Sequence, residues 1–75
     1  MSYSKKYQEL KEKYESILNS KQYPVHKWLA FKDLQDEVRA LIPETLDMNI
    51  RKDLATLCVD CEKQIKDLST RLKWK

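Results

Sequence analysis

Glycine is absent from this 75-residue chain, and its two prolines, Pro24 and Pro43, both fall between segments of helical apolar periodicity. Glycine is the usual residue for a left-handed turn and proline the strongest helix breaker. A chain punctuated in this way reads as three helices joined by short connections, predicted at about 3–19, 24–41 and 47–72 within a single helical domain spanning 1–75. Pro24 is preorganised for a first helical position, and Pro43 disfavours a helical backbone in Ile42.

Each segment presents its own apolar face. In the first, Tyr3, Tyr7, Leu10, Tyr14, Ile17 and Leu18 form a narrow seam of the coiled-coil kind. Its tyrosines can bury a ring while the hydroxyl reaches water, which predicts a partly wet flank. In the second, Trp28, Phe31, Leu34, Val38, Leu41 and Ile42 make the main arc, and a step of about 100° per residue leaves Val25 and Leu29 outside it. In the third, Ile50, Leu54, Leu57, Cys61, Ile65, Leu68 and Leu72 recur along one seam, with Val59 behind it.

These faces predict an all-α fold, a three-helix up-down-up bundle with a long C-terminal helix, coiled-coil-like and able to self-associate. At about 1.5 Å per residue the third helix reaches roughly 40 Å and the others roughly 25–30 Å, so one of its ends should overhang the bundle or pack on another copy. Size points the same way. A single core in a chain this short rarely supplies more than about 3–5 kcal/mol of net stability without disulfides, metal or oligomerisation.

Charged residues make up 36% of the chain and hydrophobic residues 41%, the mix of a charged helical protein and not of a disordered one. The first residues carry no apolar core of a signal peptide, and the uncharged run Leu54 to Val59 is far too short for a bilayer. The expectation is a cytoplasmic protein without a membrane span, whose two cysteines are reduced thiols.

Little in the sequence carries chemistry. Cys58-Val-Asp-Cys61 matches a C-x-x-C pattern, but redox pairs of this kind sit at a helix N-terminus and these thiols fall mid-helix. Zinc needs further soft ligands, and His26 is the single histidine. Cys58 and Cys61 therefore read as small core-type hydrophobes, and His26 as a surface residue of a helix's first turn. Glycine-loop phosphate sites are impossible without glycine. No catalytic residue, metal, cofactor or small-molecule substrate is expected.

Charge is more informative. Lys21, Lys27 and Lys32 occupy 16–32 without an acid, and Lys63, Lys66, Arg71, Lys73 and Lys75 face only Asp67 in 63–75, whereas acids dominate 33–62. In an up-down-up bundle the two basic stretches meet at one pole. The sequence thus predicts a small non-enzymatic interaction module, an adaptor, inhibitor or regulatory subunit, that occupies the surface of another protein or of a second copy. Val25, Trp28, Leu29 and Trp74 are its expected apolar anchors, and Lys21, Lys27, Arg71 and Lys73 its steering charges. The alternative is a nucleic-acid-associated regulatory protein, in which the same cations neutralise phosphates and the aromatic side chains stack on bases.

Overall fold

The computed structural model describes the backbone of residues 3–72 and the side-chain surroundings of residues 5–72. Among the described residues there are three α-helices and no strand: α1, Tyr3–Asn19; α2, Pro24–Leu41, extended by a 3-10 turn, Ile42–Glu44; and α3, Met48–Leu72. The all-α expectation holds.

Helix ends are closed without glycine. At the end of α1 the Ser20 hydroxyl donates to the Ile17 carbonyl at 2.8 Å, and the Lys27 ammonium donates to the Leu18 carbonyl at 3.2 Å. The Ile17 carbonyl also accepts the Ser20 N–H at 3.2 Å, so both donors of Ser20 and the Lys27 ammonium close the last turn. Tyr23, held extended at φ −61° and ψ 149° by the following proline, sets the start of α2. Pro43 breaks the α-helical ladder, and Thr45 locks the exit: its N–H donates to the Ile42 carbonyl at 3.2 Å and its hydroxyl to the Leu41 carbonyl at 2.9 Å.

The start of α3 differs by one residue from the predicted one. Asp47 stands outside the helix as its cap, with Oδ1 accepting from the N–H groups of Asn49 at 2.8 Å and Ile50 at 3.4 Å. A short carboxylate satisfies those orphan donors better from the cap position than from inside the first turn.

The buried core holds Phe31, Leu34, Val38 and Leu41 from α2, Leu54, Leu57, Cys61 and Leu68 from α3, and Leu10 alone from α1. Tyr7, Tyr14, Ile17, Ile50 and Ile65 pack around it, half-buried. Leu18 departs from its predicted place in the α1 seam and is 40% exposed. It lies at the margin of the stripe, about 80° from Leu10 at the helical step, and the helix ends one residue later. The Tyr3 side chain lies outside the described residues.

Side-chain bonds tie α2 to both of its neighbours. Between α2 and α3, Trp28 meets Ser69 and Gln35 meets Cys58. Between α1 and α2, Lys27 meets Leu18 and Glu37 meets Lys13. The α2–α3 interface is far more extensive than either interface with α1. α3 also touches the 3-10 turn that lengthens α2. Overall the Cα atoms span 39 × 23 × 14 Å, thin enough that many apolar side chains remain half-buried.

Candidate protein-docking surface

The turn between α1 and α2 and the last turns of α3 come together at one pole and enclose a groove of about 390 Å³. Leu18 and Pro24 line it from the surface, Phe31 and Leu68 from within the core, and Lys27, Arg71, Gln22, Gln64 and Asp67 make most of its exposed lining polar. One cation from each basic stretch, Lys27 and Arg71, lines it. Arg71 pairs with Asp67 through Nε at 3.3 Å, yet its side chain remains 69% exposed, and an exposed pair of this kind contributes little to stability. Lys27 uses one of its three donors on the Leu18 carbonyl. Both cations stay accessible to an acidic group arriving from solvent.

The other predicted site residues divide over several faces. Lys21 is exposed in the α1–α2 connection, near the groove but not part of its lining. Val25 is half-buried and Leu29 is 50% exposed. At the helical step they stand about 160° from Lys27 at their nearest, on the side of α2 turned away from the groove. Trp28 joins helices: its indole N–H donates to the Ser69 hydroxyl at 2.8 Å, and the Lys32 ammonium sits 5.5 Å above its ring. Its payload is mainly internal, a staple of α2 onto α3. Lys73 and Trp74 lie outside the described residues.

The two thiols behave as their positions dictate. Cys61 is fully buried, and burial, with lesser help from Cys58 and Asp60, pushes its thiol up to about 11. It is a neutral packing group at physiological pH, because only the thiolate is a nucleophile or metal ligand. Cys58 is half-buried beside it, and its backbone carbonyl accepts the Gln35 side-chain amide at 3.3 Å. On α1, burial holds the Tyr14 phenol above its ordinary range against the lowering effect of a hydrogen bond from Gln64 at 3.5 Å. The Tyr14 ring meets Phe31 at 5.5 Å.

One feature of the opposite pole escapes sequence reasoning. Leu46 is 91% exposed and Met48 62% exposed, flanked by the exposed carboxylates of Glu44 and Asp47. Leu46 directly precedes the cap of α3, a position whose apolar side chain often packs against the fourth residue of the helix. That residue here is Arg51, so the staple has no second half and Leu46 projects. The signal lies in the pair Leu46 and Arg51 read together. Gln35, 5% exposed on the core side of α2, was equally invisible to a reading of apolar periodicity.

Among the described residues no helix is long and apolar enough to cross a membrane, and no three of His, Cys, Asp and Glu gather as a metal site would require. Fold and surface together define a small all-α protein with a cationic groove at one end. Comparison with protein-family models, with curated proteins and with solved structures gave no match.

Proposed function

We propose that this chain is an up-down-up three-helix bundle that acts without catalysis, as a cytoplasmic adaptor, inhibitor or regulatory subunit docking onto another protein through its basic pole. The observation that carries this reading is the groove that Lys27 and Arg71 line together with the exposed Leu18 and Pro24. Charges at a rim steer encounter and fix register, while a desolvated apolar centre supplies affinity. Exposed Leu18 and Tyr23 extend apolar surface around the same pole. Coiled-coil pairing along α3 is not part of the reading, since Leu54, Leu57, Cys61 and Leu68 of that seam already face the core.

The test is capture of the tagged protein from its native cell, with and without nuclease, compared with Lys27→Glu/Arg71→Glu. Nuclease-resistant recovery of one defined protein, lost in the double variant, supports docking at this pole. Recovery unchanged by the double variant contradicts it. The nucleic-acid reading draws support from Tyr23, 76% exposed beside Lys21. It requires a labelled single strand or duplex to bind at low salt, with affinity falling along a log–log line in salt concentration.

A further inference from the structure

Among the three helices α1 is the least firmly held. Leu10 is its one buried side chain among the described residues, and its other contacts include the Tyr14 ring against Phe31 at 5.5 Å, the Gln64–Tyr14 bond at 3.5 Å and the exposed Lys13–Glu37 pair at 3.4 Å. It joins α2 through residues 20–23 alone. We propose that α1 exchanges between copies: the connection opens, and α1 of each chain fills, on the α2–α3 hairpin of a second chain, the seat that it occupies on its own.

The complementarity that such an occupant needs is already present in the single chain. Tyr14 meets Phe31, Ile17 and Leu34 line one cleft between α1 and α2, and Leu10 and Leu41 line another. A second copy's α1 brings the same rings, the same Tyr14 hydroxyl for Gln64 and the same Lys13 for Glu37. No new surface has to fit.

The connection is suited to opening. Pro24 already holds Tyr23 extended at φ −61° and ψ 149°, so Tyr23 keeps its backbone conformation when the chain straightens. The start of α2 has no side-chain cap bond that the turn would have to give up. Opening removes the exposed bond from the Lys27 ammonium to the Leu18 carbonyl, and water replaces it at little net cost.

Exposed apolar groups gather at the same place. Leu18, 40% exposed, and Tyr23, 76% exposed, flank the connection beside the exposed Pro24. In a reciprocal exchange the two connections pass each other, and these side chains cover their counterparts, a burial that the closed monomer lacks. Lys21 and Lys27 of the two chains meet there as well. Their repulsion opposes exchange at low ionic strength and is screened by salt, so salt promotes the dimer. Reciprocity closes the assembly at two copies.

Sedimentation of the full chain at low and high salt tests the stoichiometry, and a zero-length carbodiimide cross-link between Lys13 and Glu37 tests the exchange. Exchange competes with closure inside one chain, so the wild type is expected to be monomeric in the micromolar range and to dimerise toward about 1 mM in high salt. Isotopically light and heavy chains are unfolded together, refolded at that concentration and cross-linked. The dimer should yield Lys13–Glu37 peptides with one light and one heavy half, and the monomer only peptides of a single isotope. A wild type that stays monomeric at about 1 mM in high salt overturns the proposal. So does a dimer whose cross-linked peptides are all light or all heavy.

Deletion of Ser20, Lys21 and Gln22 sharpens the test. It leaves Tyr23 alone between the helices, short of the about two residues that the tightest helical hairpin needs, so α1 cannot return to its own hairpin. This variant should dimerise at concentrations at least about a hundredfold lower than the wild type, with the mixed cross-link and the helical circular dichroism retained. A folded but monomeric deletion variant overturns the proposal, and if the deletion prevents folding the wild-type cross-link decides.

Discussion

The α2–α3 pair and α1 are built from the same kind of amphipathic sequence, yet they are held by different forces. All but one of the buried hydrophobic residues belong to α2 and α3, and those two helices add an internal amide bond from Gln35 and an indole bond from Trp28. α1 contributes Leu10 to the core and attaches otherwise by half-buried tyrosine rings, a long Gln64–Tyr14 bond and the exposed Lys13–Glu37 pair. Apolar burial scales with area removed from water, whereas exposed ion pairs contribute little. The hairpin of α2 and α3 is therefore the stable unit, and α1 is laid upon it.

The difference can be broken most forcefully in the core. Leu54→Ala or Phe31→Ala removes a fully buried side chain and should cost about 3–5 kcal/mol, comparable to the whole stability of a domain this small, so thermal melts should lose the cooperative transition. Leu10→Ala, the corresponding change in α1, should cost about 2–3 kcal/mol and leave residual helix in circular dichroism.

The next effect is alkaline. Cys61 in the folded protein holds its proton up to about 11, against 9.0 for an ordinary thiol, so the unfolded form ionises first. Stability from the neutral thiol is complete below the lower value and is lost as pH rises through the upper one, by up to about 2.7 kcal/mol. Tyr14, also raised, acts in the same direction at higher pH. Urea titrations across this range should show a smaller alkaline loss for Cys61→Ala than for the wild type, and an equal loss would remove Cys61 from the account.

Smaller effects separate the ends of the hairpin from the edge of α1. Asp47→Ala removes the cap of α3 and should cost about 1 kcal/mol in chemical denaturation. Lys13→Ala deletes an ion pair whose side chains are 60% and 53% exposed, and should change stability by about 0.5 kcal/mol or less, vanishing in high salt. A larger value for Lys13 would mean that α1 is held by its charges and not by Tyr14 and Leu10.

Much of this architecture is legible in the chain, because proline position and a period near 3.6 are local properties. Pro24 and Pro43 mark the breaks, and the α3 seam from Leu54 to Leu68 faces inward as its spacing requires. What periodicity misses depends on partners distant in sequence or on the far side of a helix end. Leu18 belongs to the seam by spacing but runs out of neighbours, and Leu46 is exposed because the residue that would cover it is Arg51. The same holds for the docking surface. Charge distribution was enough to bring Lys27 and Arg71 to one pole, and the helical step alone sets Val25 and Leu29 apart from Trp28, whereas the bond of Trp28 to Ser69 follows from how α2 is rotated against α3.

Native-state hydrogen exchange resolved by residue tests the division between hairpin and α1 most directly. The account predicts that amides of α1 from Leu10 to Leu18 exchange through a local opening of lower free energy, while those of Phe31 to Val38 and Leu54 to Cys61 exchange only with global unfolding. Equal protection across all three helices, lost together in denaturant, would contradict it.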